Sequence, residues 1–407
     1  MTPPSPRVSF DPARRPVAMV VHSHYEEDPR VRREAESLVE RGRPVDVYAL
    51  RLAGQPAEEE LDGVRLIRLG VERHQGARIG TYLREYLSFL ARSGWALTRA
   101  QPRRRYGLVQ VHSLPDFLAF SGLPVRLTGV PILLDLHEAM PEFFTMRFPA
   151  AASATAHRLL LAQERASIGL ARAVITVNQA LADRLIGLGV PPAKVTVILN
   201  SPALRRFDRA RQPDRAFMTD GVLRLVYAGA LTPTYELDVV LDALAIIRSR
   251  RPELRTELDL YGRGDAEPGL RAQVERLGLG ESVHFHGRIP IADVPGAIAA
   301  TDIGLAPTRR NSFTEMSLST KLFEYAALGR PIVASRLPLV ERTFPAGALA
   351  VYRSGDPADL ASAILGLVDD PVGRAAGVAL AAAQVAQLAW EREADRLMDL
   401  VDRLARE

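Results

Sequence analysis

The sequence predicts an α/β protein built from two Rossmann-like halves, and three observations carry that prediction. Short β-branched runs alternate with helical patterns along most of the chain. The runs are apolar throughout, as strands covered by helices on both faces are, which means parallel βαβ units. The alternation breaks once, over 204–220, an Arg/Asp-rich stretch with Pro213 that reads as a linker, and then restarts. A length of 407 residues also suits two domains better than one.

In the first half, strands are expected over 17–21, 45–50, 64–69, 108–111, 132–136, 174–177 and 195–198. Helices are expected between them, over about 28–41, 79–99, 117–128, 154–171 and 178–188, with Asp28 placed to cap the first. The second half repeats the pattern, with strands over 223–228, 258–261, 283–286, 303–306, 332–334 and 349–352. Its helices fall over about 237–250, 269–277, 294–300, 320–327 and 356–367, and the last segment, 371–407, is Ala-rich and helical. The expected division is a first domain over 1–205, a linker over 206–221, a second domain over 222–375 and a terminal helix over 376–407. Parallel sheets bind ligands beyond the carboxyl ends of their strands, so the two halves are expected to face one another across a cleft lined by those loops.

Composition narrows the function. The apolar fraction is 47% and the charged fraction 25%, ordinary for a globular protein. With no cysteine, disulfides and thiolate metal sites are excluded. A net charge of +4 is too mild to argue for nucleic acid. Residues 1–16 are Pro/Arg-rich and without an apolar core, so no signal peptide is expected there. No run of about 18 apolar residues is seen, so no membrane span is expected, and a cytoplasmic location is, with peripheral contact at the membrane's inner face as an option.

The most informative segment runs from Ser319 to Ser335. Small hydroxylated residues open a short helix that stops at Gly329 and Pro331, and a buried strand follows. Free N–H groups at a helix start beside a cation make a phosphate cradle. The cation is Lys321, one of two lysines, with Lys194, against about fifty arginines. Glu324 follows one turn later on the same face. A cation for phosphate and a carboxylate for hydroxyls describe a site for a nucleotide-activated sugar, although the two residues also fit a solvated pair at helical spacing.

This segment, with Asn311–Glu315 before it, resembles the donor-binding signature of the family 4 glycosyltransferases, retaining enzymes of the two-domain GT-B fold. The resemblance covers about residues 17–370. It implies that Glu324 binds the ribose hydroxyls, that Glu315 lies near the transferred sugar, and that N–H groups around Leu318, Ser319 and Thr320 hold the distal phosphate. It also implies a terminal helix crossing back to the first domain. The family's two glutamates are separated by seven residues; Glu315 and Glu324 are separated by eight. The loop from Gly229 commonly carries Arg and Lys against the diphosphate, and here it carries Ala230 and Glu236. Lys321, Arg263 or loop N–H groups are then expected to take that charge. The Gly262–Gly264 loop resembles the one beside the donor diphosphate, and Arg288–Ile289 the one whose backbone meets the base.

In the first half, His137 aligns with a family histidine that reaches the donor's sugar and phosphate. Glu138 beside it, and His112 and Asp116 at the preceding strand end, are candidates for acceptor contact. Arg30, in an "Asp-x-Arg-Val" variant of the first loop, and Arg33 are candidates for acceptor or phosphate contact. Residues 78–105 mix Tyr82, Tyr86, Phe89 and Trp95 with Arg78, Arg84, Arg92 and Arg99, a face suited to an anionic membrane or lipid-linked acceptor. No Asp-x-Asp pair or histidine cluster at ligand spacing occurs, so neither metal nor other cofactor is expected. The resulting expectation is a retaining transferase moving sugar from a nucleotide sugar to an acceptor hydroxyl, with His137, Lys321 and Glu315 at the reacting end. A GT-B epimerase or phosphorylase, or a non-catalytic scaffold subunit, are the alternatives.

Overall fold

The computed structural model describes residues 14–74 and 79–406. They divide into two compact units, Met1–Asn200 with Arg392–Glu407, and Ser201–Glu391.

The first unit contains β1 (Val17–Val20), α1 (Pro29–Glu40), β2 (Val45–Leu50), β3 (Glu58–Leu61), β4 (Val64–Leu69), α2 (Ile79–Arg104), β5 (Leu108–His112), α3 (Leu123–Arg126), β6 (Ile132–Leu136), α4 (Met140–Arg147), α5 (Ala154–Leu170), β7 (Ala173–Thr176), α6 (Gln179–Gly187) and β8 (Val195–Val197). Its sheet has the order β3-β4-β2-β1-β5-β6-β7-β8. Val17 of the central strand pairs with Val45 on one side and Leu108 on the other, both in parallel. The order reverses at β1, so the loop after β1 and the start of α1 lie at a topological switch point. Val20, Val111, Leu134 and Val174 fill the core on one face, closed by Phe89 and Leu97 of α2.

The second unit contains β9 (Val222–Ala228), α7 (Leu237–Arg250), β10 (Arg255–Tyr261), α8 (Glu267–Leu277), β11 (Val283–Gly287), α9 (Val294–Ala299), β12 (Ile303–Ala306), α10 (Thr320–Ala327), β13 (Ile332–Ser335), α11 (Pro338–Thr343), β14 (Ala350–Tyr352), α12 (Pro357–Asp369) and α13 (Pro371–Gln387). Its sheet, β11-β10-β9-β12-β13-β14, is parallel throughout. The switch point is between β9 and β12. One core joins Leu225, Leu258 and Ile303 to Val240, Leu244 and Ile247 of α7. A second packs α10 against Val226, Ala306 and Ala334.

A last helix, α14 (Trp390–Arg406), belongs to the first unit from Arg392 onward. Asp402 accepts from Arg43 at 2.5 Å, Asp395 pairs with Arg41, and Glu393 accepts from the Leu199 amide at 2.9 Å. By length and composition Pro371–Arg406 is apolar enough to cross a membrane. The stretch is two helices broken at Leu388–Ala389, and each buries one face: Gly377, Ala381 and Val385 of α13, and Leu397, Val401 and Leu404 of α14.

Four local elements differ from the expectation. Glu58–Leu61 is an antiparallel edge strand, unread because three glutamates disguise it. The turn into β4 is Asp62–Gly63, both at positive φ, the two-residue hairpin signal. The expected helix over 117–128 is a 3₁₀ turn, Asp116–Gly122, followed by the four-residue α3, because Gly122 and Pro124 interrupt it. Met140–Arg147 and Pro338–Thr343 are helices that short, weakly patterned segments concealed.

Candidate active site

In the second unit the loops after β9, β10 and β11 lie side by side as an extension of the sheet. Gly229 donates to the Tyr261 carbonyl at 2.8 Å, Leu231 to that of Arg263 at 3.1 Å, and Gly262 to that of Gly287 at 2.7 Å. A Cβ at Gly262, whose φ is 144°, would overlap the Gly229 carbonyl, and one at Gly264 the Leu231 carbonyl. These glycines are therefore explained by loop against loop. Arg263 and Arg288 are exposed beside them, with Ile289 half-buried.

Helix α10 starts next to this ledge. Ser319 is its N-cap, but its hydroxyl makes no capping bond, so the first-turn amides are not taken by it. Tyr325 anchors the helix: it is fully buried, donates to the Leu305 carbonyl at 3.2 Å and accepts from the Ala228 amide at 3.3 Å. Lys321 is only 7% exposed. Its Nζ lies 4.8 Å from the centre of the Tyr227 ring and 4.3 Å from that of Tyr235. A Cβ at Gly229 would collide with its side chain. Among the described residues no carboxylate forms an ion pair with it. The ammonium is thus held by aromatic faces over the glycine that follows β9. Leu318, Ser319, Thr320 and Glu324 are half-buried around it. Glu315, on a 3₁₀ turn after β12, accepts from Arg310 at 2.7 Å.

Glu236 is fully buried. Its carboxylate accepts from Tyr352 Oη at 3.0 Å, from the Gly355 amide at 3.0 Å and from Ser354 Oγ. Ser354 in turn accepts from the Arg310 amide at 2.9 Å, and Tyr352 meets Ser335 Oγ at 2.9 Å. One carboxylate therefore fastens together the loops after β9, β12, β13 and β14. Burial, with Glu236 adjacent, pushes the Tyr352 hydroxyl well up from its ordinary range.

In the first unit, Asp135 organises the strand ends. Its Oδ2 accepts from Arg30 Nε at 2.9 Å, His112 Nδ1 at 2.9 Å and His137 Nε2 at 2.8 Å, and its Oδ1 from Arg30 Nη2 at 2.9 Å. Burial alone would raise its carboxyl; Arg30 and then His137 hold it well below the usual range. Glu34, behind Arg30, is pushed up to about 7 by burial, with Arg30 opposing. His137 is half-buried, and its amide donates to Ser113 Oγ at 3.0 Å. Glu138 beside it is half-buried, and desolvation raises its carboxyl.

The two halves of the chain match two known domain models in succession: "Glycosyl transferase 4-like domain" over residues 28–201 and "Glycosyl transferases group 1" over 223–370. The chain belongs to the family 4 glycosyltransferases. It is 25% identical to D-inositol 3-phosphate glycosyltransferase of Arthrobacter sp. (strain FB24) over 89% of this chain and 86% of that one. Its fold is similar to that of sucrose-phosphate synthase from Thermosynechococcus elongatus, with a TM-score of 0.76, 19% identity, and 96% and 99% of the two chains covered. It is similar also to Anabaena Alr3699/HepE solved with UDP-glucose, with a TM-score of 0.72, 16% identity, and 95% and 99% covered. These are likenesses of fold, and the fold is GT-B.

For a family 4 glycosyltransferase, several site expectations need correction. Arg30, expected at an acceptor or phosphate, is buried and committed to Asp135, Glu34 at 3.0 Å and the Ile198 carbonyl at 3.1 Å. His112 is fully buried behind Asp135 and cannot touch an acceptor. Asp116 is fully buried too, and neither of its oxygens has a hydrogen bond; burial, then Glu164, raises its carboxyl well above the ordinary range. Arg30 and His112 act on the site through Asp135. Against expectation, a histidine cluster exists: ligand atoms of His112, Asp135 and His137 lie within 4.8 Å of one another. Strand spacing hid it, since β5 and β6 end side by side with His112 opposite Asp135. Its shared oxygen already accepts three N–H groups, so a cation there would have to displace a guanidinium. Sequence reasoning missed Asp135 and Glu236, the carboxylates that position the others. Buried acids at two strand-end loops were the available signal.

Proposed function

We propose that this glycosyltransferase binds a nucleoside-diphosphate sugar at the carboxyl edge of the second unit's sheet and transfers the sugar, with retention, to an acceptor hydroxyl. The observation that carries the reading is Lys321, a buried ammonium without a carboxylate partner among the described residues, beside the opening amides of α10. The two together suit a diphosphate and its developing negative charge. Glu324 takes the ribose hydroxyls, Glu315 faces the transferred sugar, and His137, oriented by Asp135, serves the reacting end. Because a buried cation supplies the charge, the transfer needs no metal. Since Alr3699/HepE was solved with UDP and glucose, UDP-glucose is the first donor to test.

The acceptor reaches the first unit, and α2 offers a membrane contact. Leu83, Leu87 and Trp95 are 50%, 49% and 65% exposed at four- and eight-residue intervals, flanked by exposed Arg84, Arg92 and Arg99. Such a face suits an anionic bilayer surface. Arg78 of that basic segment lies outside the described residues. The test is release of nucleoside diphosphate from a panel of nucleotide sugars, followed by NMR of the product's anomeric centre. Slow donor hydrolysis without acceptor supports an enzyme; no turnover of any donor would favour a binding subunit.

A further inference from the structure

A basic cavity of about 720 Å³ opens at the amino edge of the first unit's sheet. Its walls are segments that precede strands: Arg14 and Arg15 before β1, Arg43 before β2, Arg105 before β5 and residues 128–131 before β6, closed by the end of α14. Asp135 and His137 lie at the other edge of the same sheet, about 15 Å along the strands. Five arginines line the cavity, Arg14, Arg15, Arg43, Arg105 and Arg406, against one carboxylate, Asp402.

The fold uses two of the five. Arg43, only 4% exposed, donates to the Arg15 carbonyl at 2.8 Å and to Asp402 at 2.5 Å. Arg14 donates to the Arg41 carbonyl at 2.7 Å and lies 3.8 Å from Asp402. Asp402 therefore already faces two guanidiniums, and the buried Nε of Arg43 still has no hydrogen-bond partner. Asp46, the carboxylate behind the cavity, is taken by Arg104, Arg65 and the Tyr106 hydroxyl. Among the described residues no carboxylate pairs with Arg15, Arg105 or Arg406. Arg105 also holds φ at 53°, a conformation that residues with a side chain seldom adopt. A Cβ at Gly107 would press on that of Arg15 at 2.8 Å, so the glycine makes room for this arginine, and the space beside Gly129 is empty to 4 Å. Residues 1–13 and 407 lie outside the described residues and bring Asp11 and Glu407 against Arg7, too little acid to balance the cavity.

We infer that this cavity binds a phosphate-bearing anion of at least two negative charges, through Arg15, Arg105 and Arg406, at a site separate from those for donor and acceptor. Converging guanidiniums that lack carboxylates repel one another until an anion joins them, and their planar forks match phosphate oxygens. The inference rests on the cavity and not on the transferase reading. The phosphate has two possible sources, a soluble phosphorylated compound or an anionic lipid headgroup, since α2 with its exposed Leu83, Leu87 and Trp95 ends at Arg104 beside the cavity.

The test is calorimetric titration of the full chain with pyrophosphate, in the parent and in Lys321→Met, where the donor site is disabled. One saturable site that persists in Lys321→Met is the expected result. Adding Arg15→Gln and Arg105→Gln should weaken it at least about tenfold, the scale of one lost charge-assisted hydrogen bond. Adding Arg99→Gln and Arg103→Gln, exposed arginines of α2 outside the cavity, should leave it unchanged. Circular dichroism checks folding, and Arg406→Gln alone is read should the Arg15 and Arg105 pair not fold. Vesicles distinguish the sources. Sedimentation with phosphatidylglycerol but not phosphatidylcholine vesicles, competed by pyrophosphate, points to a headgroup; no such competition points to a soluble compound; either supports the site. Loss of all pyrophosphate binding in Lys321→Met overturns the inference and leaves the donor reading standing. Unsaturable binding, or equal weakening by both arginine pairs, overturns it as charge attraction without a site.

Discussion

Removing the charge of Lys321 while keeping its packing probes the site most sharply. Lys321→Met preserves an unbranched side chain against Tyr227 and Tyr235 and deletes only the ammonium. A unit charge about 4 Å from a phosphate oxygen is worth on the order of 4 kcal/mol at an effective dielectric near 20. Loss of one preorganised stabiliser commonly costs about 10²–10³ in kcat. Lys321→Met should therefore lower donor turnover by at least about 10²-fold, with a melting temperature close to the parent's. A second route reaches the same atom: in Gly229→Ala the new Cβ occupies the space of the Lys321 side chain. That variant keeps the charge but displaces it, and should lose about 10-fold or more in turnover. The assay is nucleoside-diphosphate release by coupled spectrophotometry, with circular dichroism as the folding control. Full activity in both folded variants would refute the assignment.

Other expectations concern groups that hold the site. Glu324→Ala should raise the KM for donor with a smaller effect on kcat, read from saturation curves, because ribose contacts are made before the transition state. Glu236→Ala leaves the Gly355 amide and the Tyr352 and Ser354 hydroxyls unsatisfied at about 1–3 kcal/mol each, and should lower the melting temperature by several degrees and weaken donor binding. Asp135→Asn removes one of the two carboxylates on the buried Arg30 guanidinium and leaves Glu34 and the Ile198 carbonyl, a loss of about 1–3 kcal/mol in denaturant unfolding. For Asp116 the folded-state value is raised, so the native state holds its proton more tightly than the unfolded chain does. Its contribution therefore falls as pH rises above the unfolded value near ~4. Asp116→Asn should remove that decline, and a stability gap in the variant's favour should widen with pH; a gap that narrows would contradict the raised value.

What could be read from the sequence was local. Lys321 and Glu324 were legible because one short segment contains the cap, the cation, the helix stop and the following strand. The parallel strands were legible because their runs are apolar on both faces. Pairings across the fold were not. Arg30 looked like a ligand-binding cation, and only the fold shows that Asp135, 105 residues away, has taken it. Glu236 looked like the absence of a basic residue, yet it ties four loops, one through Ser354 at a separation of 118 residues. Gly262 and Gly264 looked like a ligand loop, while their missing side chains make room for the neighbouring loop's carbonyls.

The central claim is that the second unit binds a nucleoside diphosphate through Lys321 and α10 without a metal. Calorimetric titration with UDP, GDP, ADP and dTDP, first in chelator and then with Mg²⁺, tests it most directly. Micromolar binding of one nucleotide in chelator, lost in Lys321→Met, is the predicted result. Binding of none, or binding that appears only with Mg²⁺ and is indifferent to Lys321, would contradict the account.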